Sequence, residues 1–192
     1  MKKIAFILAL LIVMSLVLVA CGEEEVFDFA TIDGQNYNSE FFGITANIPS
    51  EFEIFTPEKI EETTGAKRDI TALDVKDGMV YDLYAVAPTG ANFNCVASKP
   101  GRVNIDKEIE KLKTEMVDEL AKNNITTDSI EIVNVKVGNK EFKGLSYVYS
   151  YSGVKLYATQ FYVVKGKYYG CYTFTANNEK DIDTMISYFS AK

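Results

Sequence analysis

The sequence predicts an α+β domain, an antiparallel β-sheet of about six to eight strands packed by two longer helices and one short helix. Three observations carry that expectation. Between residues 131 and 177 four runs rich in Val, Tyr, Phe and Thr follow one another, separated by turns at Gly138-Asn139, Ser152-Gly153 and Lys165-Gly166. Strand-like runs joined by tight turns form an antiparallel meander. Ile105, Ile109, Leu112, Met116 and Leu120 recur at helical spacing among Asp, Glu and Lys, which predicts an amphipathic helix over 105–122. Ile182, Met185, Ile186 and Phe189 do the same after Asn177 and Asn178, predicting a capped terminal helix over 179–190.

The first element in chain order is a leader. Lys2 and Lys3 precede an apolar run from Ile4 to Val19, and Ala20 precedes Cys21; a basic start, an apolar centre and a small residue make a secretory signal. Leu18, Val19, Ala20 and Cys21 resemble the bacterial lipobox. The resemblance implies that the Cys21 thiol carries a diacylglyceryl group, with acyl chains such as palmitate, and that the chain is cut before it. Each buried CH₂ contributes about 0.8 kcal/mol, and two chains suffice for stable anchoring. The expected location is the extracytoplasmic face of the cell membrane. Two other readings stand beside it, a plain signal peptide and an uncleaved helix, although 4–20 would span only about 26 Å of a hydrocarbon core of roughly 30 Å.

The organisation expected is a signal peptide over 1–20, a lipidated acidic tether over 21–37 and one domain over 38–192, a size usual for a single core. Glu23, Glu24 and Glu25 are repelled by anionic headgroups, so the tether is expected to stand off the surface. Loss of 1–20 removes two of the 20 basic residues and none of the 27 acidic ones, taking the net charge from −7 to −9. That balance argues against nucleic acid or an anionic lipid surface as a partner, because both reward basic patches.

Within the domain, Phe42, Ile44, Ala46 and Ile48 alternate up to Pro49, predicting a strand, and a second short strand follows over 52–55. Thr56-Pro57 opens a short helix that stops at Gly65, as an N-cap followed by proline at the first helical position does. Asp77-Gly78 and Pro88-Thr89-Gly90 are turn chemistry, and they delimit predicted strands over 70–75, 79–87 and 92–97.

This order of elements is similar to the PsbP-like or Mog1-like α/β/α sandwich. The residues that carry the resemblance are FFGITANIPSEFEIFTPEKI, DLYAVAP followed by ANFNCVAS, and FYVVKGKYYGCYTFTA with its helix. With the lipobox, the chain also resembles small Gram-positive lipoproteins bearing such a domain. The resemblance implies accessory roles through protein contacts and no shared catalytic residues. A departure is the absence of tryptophan, with Phe52 near the place where such domains often carry one.

The chain has no histidine, which removes the commonest general base and transition-metal ligand. No cofactor is expected. Cys95 and Cys171 fall in strand-like runs, and an extracytoplasmic site permits a disulfide between them if their Cα atoms lie within about 7 Å; buried free thiols are the other reading. Tyr147, Tyr149 and Tyr151 alternate onto one face of their strand. Such a stripe suits stacking on glycan rings or an aromatic protein contact, or else a helix-covered core face. The acidic groups Glu58, Glu61 and Glu62 and those of 106–119 interleave with lysine on predicted helices, as solvated faces do, without a calcium-loop pattern. The function expected is a membrane-anchored, non-enzymatic binding or accessory module contacting an envelope protein, with a receptor for a small ligand or cell-wall glycan as the alternative.

Overall fold

The computed structural model describes residues 26–66, 68–75, 78–151 and 153–192. Local chemistry sets the helix bounds. The Thr56 hydroxyl accepts from the Lys59 N–H and Pro57 occupies the first position of α1 (Pro57–Thr64), which ends at Gly65 with φ 75°, a conformation that glycine adopts without steric cost. Asn104 caps α2 (Ile105–Lys122) through the Lys107 N–H, and Asn178 caps α3 (Glu179–Ser187) through the Asp181 N–H.

Two antiparallel sheets carry the rest. The smaller orders its strands as β1 (Thr31–Asp33), β2 (Asn36–Ser39), β3 (Ile44–Asn47) and β11 (Phe189–Ala191). The larger runs β4 (Glu53–Ile54), β5 (Met79–Val86), β6 (Asn92–Ser98), β10 (Tyr168–Ala176), β9 (Val154–Lys165), β8 (Lys140–Tyr151) and β7 (Thr126–Val137). The predicted meander is β7 to β10, and the α+β class holds; the single sheet expected is instead seven strands with a second sheet of four against it.

The large sheet is covered on both faces. On one, Phe93, Cys95, Phe161, Tyr172 and Phe174 meet Tyr37, Ile44 and Phe189 of the small sheet and Ile182 and Met185 of α3. Phe161 and Tyr172 stack there at 4.7 Å with 4° between their planes. On the other face, Ile109, Met116 and Leu120 of α2 bury Leu145, Tyr147, Tyr149, Tyr162, Tyr169 and Cys171. Strand alternation sends neighbours to opposite faces, so β10 serves both layers.

Three expectations are corrected. The strand predicted over 70–75 is a 3-10 turn, Ile70–Asp74, because the Asp69 carboxylate accepts from the Thr71 N–H and closes the chain into a turn. The terminal helix stops at Ser187, since Phe189–Ala191 pairs with β3. The fold also begins before residue 38. Phe27 is 1% exposed, with its ring 5.2 Å from Phe41 and 5.9 Å from Tyr168, and β1 and β2 follow it directly. Burial of such a ring stabilises by roughly 2–3 kcal/mol, which outweighs the freedom gained as tether. Residues 1–25, including the leader and Cys21, lie outside the described residues.

Candidate functional site

A lone carboxylate in an apolar strand organises the main polar site. In the run MVYDLYAV, Tyr81 pairs with Val96 and Leu83 with Cys95, so Asp82 sits in a β-bulge without a partner on β6. Bulges re-aim a side chain, and here Asp82 is 1% exposed and directed toward the small sheet. Its carboxylate accepts from the Ala30 N–H at 2.7 Å and from the Tyr37 hydroxyl at 2.7 Å. Arg68 Nη2 stands 3.7 Å away and donates to the Ala30 carbonyl at 3.2 Å. Burial pushes the Asp82 carboxyl above its ordinary range, and the Ala30 N–H, the Tyr37 hydroxyl and Arg68 pull against that shift.

The network extends inward and outward. The Tyr37 hydroxyl lies 3.1 Å from that of Tyr172 on β10. Toward solvent, the Arg68 guanidinium covers the Phe29 ring at 4.3 Å, and its buried Nε has no hydrogen-bond partner. Arg68 and Asp82 line a cleft of about 510 Å³ walled by Ile32 and Gln35 on one side and Phe52 and Ile60 on the other. Gln35 is itself fixed, its Nε2 donating to the Pro49 carbonyl at 2.8 Å and the Phe52 carbonyl at 3.2 Å. A more open groove of about 540 Å³ also includes Arg68, lined by Phe29, Pro57 and Ile70 together with Glu58, Glu61 and Asp69. The chemistry on offer is hydrogen bonding from a guanidinium edge and packing against apolar walls.

The tyrosine stripe is elsewhere and is not a surface. Tyr147 and Tyr149 are 1% and 0% exposed, and Tyr151 is partly buried against the same cluster beneath α2. The proposed binding surface at Tyr147, Tyr149 and Tyr151 is therefore corrected, because the apolar stripe of α2 needs a face to cover and takes this one. Burial raises the Tyr147 and Tyr149 hydroxyls well above the ordinary phenol range. Both make no complete hydrogen bond, although Thr175 lies close enough to Tyr149 to offset part of its shift.

The disulfide is corrected as well. Cys95 and Cys171 are both buried free thiols. In the β6–β10 register Cys95 stands opposite Tyr172, and Cys171 opposite Val96. The two cysteines are therefore one residue out of step and point to opposite faces, Cys95 into the layer between the sheets and Cys171 beneath α2. Their Cβ vectors diverge, which forbids a bridge however close the backbones lie.

Among the described residues there is no group of three or more Cys, Asp or Glu side chains placed to hold a metal ion. No helix among them is long and apolar enough to cross a membrane. Sequence reasoning did not single out Asp82 or Arg68. The available signal was the isolated Asp in an otherwise apolar strand, since an Asp in a core strand is almost never buried without partners.

A third feature is an edge. β7 spans twelve residues at the end of the large sheet, and no strand pairs on its far side among the described residues.

No protein-family model matches the chain, and no curated protein matches it. Among solved structures it is similar to a crystal structure from Bacteroides thetaiotaomicron VPI-5482 determined at 1.50 Å, with a TM-score of 0.42 and 16% identity. The match covers 84% of this chain and 49% of that one, so the chain spans about half the length of the protein it resembles.

Proposed function

We propose that this protein is a lipid-anchored extracytoplasmic lipoprotein whose domain is a non-enzymatic binding or accessory module acting through protein contacts. The observation that carries the reading is the β7 edge. A long strand with unpaired backbone groups is a template for another chain, and natural proteins usually shorten or cover such edges. Addition of a partner strand draws affinity from main-chain hydrogen bonds and specificity from alternate side chains. Placing the domain within the PsbP-like or Mog1-like sandwiches belongs to the same proposal, supported by a large sheet with α2 on one face and α3 and the small sheet on the other.

Crosslinking in native membranes followed by mass spectrometry tests the reading. A reproducible envelope protein crosslinked through 126–137, and lost on Ile132→Pro, is the expected result. Recovery of only lipid or glycan adducts would sink it. Acylation is checked separately, since Cys21→Ala should block lipid labelling and leave unprocessed precursor.

The cleft at Arg68 favours a second reading, a receptor for a small polar ligand, because a guanidinium edge at the mouth of an apolar-walled cavity orients such ligands. Saturable binding abolished by Arg68→Ala in a folded protein would support it over the first.

A further inference from the structure

We propose that the place where the cleft meets the groove is a receptor for a guanidinium group, the head of an arginine carried by a ligand, and that Arg68 is a tethered stand-in which this group displaces. The proposal rests on the second reading above in taking the cleft as a ligand site. It gives the ligand the opposite polarity, a cation in place of a hydrogen-bond acceptor.

The first observation is the floor of the cleft. Asp82 lines it, and each of its carboxylate oxygens accepts one hydrogen bond, Oδ1 from the Ala30 N–H and Oδ2 from the Tyr37 hydroxyl, both at 2.7 Å. A carboxylate oxygen has room for a second, so a fork of N–H donors fits the pair. The Ala30 carbonyl stands beside it as a further acceptor, and the Phe29 ring offers a face for a planar cation. A carboxylate, a carbonyl and a ring face are together the partners a guanidinium takes.

The second is how incompletely Arg68 uses them. Its Nη2 stands 3.7 Å from Asp82 Oδ1, longer than a hydrogen bond. Its buried Nε has no hydrogen-bond partner, and what it does make is one bond from Nη2 to the Ala30 carbonyl at 3.2 Å. Arg68 lines both the cleft and the groove, so its stem comes from the wall between them and limits its reach. A guanidinium arriving from solvent along the cleft has no such stem. At about 510 Å³ the cleft is of ligand size.

The third is charge. Among the described residues, Glu53, Glu58, Glu61, Asp69 and Asp82 line the two cavities, and Arg68 is the cation among them. Lys59 at the rim lies over the Phe55 ring and is paired with Glu53. With Arg68 displaced, the charged side chains that line both cavities are all carboxylates. Such surroundings repel an anion and steer a cation inward.

Calorimetric titration of the purified full-length chain tests this, with ethylguanidinium as probe and N-ethylurea as its uncharged shape match. A site filled by its own side chain binds a competitor in proportion to the fraction that stands open, so removing the stand-in raises the affinity. Ethylguanidinium should bind Arg68→Ala about tenfold or more tighter than wild type, and at least tenfold weaker again in Arg68→Ala/Asp82→Asn. Equal affinity for Arg68→Ala and wild type, binding that survives Asp82→Asn, or binding that ethylurea reproduces would overturn the proposal. Circular dichroism reads folding first. If Arg68→Ala does not fold unaided, refolding replaces the titration: recovery with ethylguanidinium and not with ethylurea supports the proposal, and no recovery overturns it. If the double variant does not fold, the ethylurea contrast decides.

The same probes separate this proposal from the second reading. Ethylurea binding to wild type that is lost in Arg68→Ala bears out that reading and overturns this one, and no binding of either probe to either protein overturns both. Free arginine and N-acetylarginine methylamide, titrated into Arg68→Ala, then distinguish the source. Tighter binding of the amide means an arginine within a peptide, equal or tighter binding of the free form means the amino acid, and binding of neither overturns arginine as the ligand.

Discussion

The hydroxyl of Tyr37 lies 2.7 Å from the carboxylate of Asp82, so one side chain of the small sheet is bonded to a bulge in the large one. The same hydroxyl reaches Tyr172 at 3.1 Å. Two sheets packed through apolar rings alone have no unique register, and this bond supplies one. Tyr37→Phe removes it and leaves the Asp82 oxygen one donor short in a buried place. The expected cost is about 2 kcal/mol, read by urea unfolding as a lower midpoint with an unchanged slope.

Asp82 also gives the fold a pH dependence of definite sign. Its carboxyl is held above the ordinary value of 3.8, mainly by burial. The native state therefore keeps that proton to higher pH than the unfolded chain does. This group favours folding below its ordinary pKa, and the contribution is lost as pH rises through the raised native value. In Asp82→Asn that falling limb, starting near pH 4, should disappear from the stability profile. Thermal melts at several pH values check it.

Tyr149 separates packing from hydroxyl chemistry. Tyr149→Ala opens a cavity beneath α2 and should cost about 3–5 kcal/mol. Tyr149→Phe keeps the ring and removes a buried hydroxyl without a complete hydrogen bond, so it should be neutral or slightly stabilising. Equal losses in the two variants, measured by chemical denaturation, would mean that the hydroxyl has a partner of its own.

The thiols should behave as two independent buried groups. Burial pushes Cys171 up to about 12 and Cys95 up as well, so neither forms much thiolate in the native state. Reductant should leave the melting temperature unchanged. A thiol reagent should modify both cysteines only after unfolding, at a rate that follows denaturant concentration.

Gly144 marks a place where the strands allow no side chain. A Cβ there would stand 2.1 Å from the Gln160 carbonyl oxygen and 2.9 Å from Val135 Cγ2. The carbonyl belongs to the backbone of β9 and has little freedom to move aside. Gly144→Ala should therefore destabilise by several kcal/mol, or about 3 if the strands part slightly, as a lower melting temperature would show.

What was legible in the sequence follows the range of the interactions concerned. α2 was readable because the stripe from Ile105 to Leu120 is a local signal. The meander was readable because each turn joins strands adjacent in sequence. Of the small sheet only β3 was, from the alternation up to Pro49; β1, β2 and β11 are three or four residues long, and Phe189 finds Ala46 only through the tertiary fold. The 3-10 turn escaped because the run over 70–75 was read from the Asp77-Gly78 turn signal that follows it, whereas the Asp69 cap decides its local conformation. Arg68 and Asp82 meet across a bulge, and no spacing rule announces a bulge.

The fourth strand of the small sheet has a consequence for how the molecule is made. Thr45 and Ser190 are paired in β3 and β11, 145 residues apart in the chain. β1 to β3 emerge early from a ribosome, yet they cannot complete their sheet until β11 has followed. Long-range closure of this kind delays folding by its nature. The architecture thus leaves completion of the small sheet to β11.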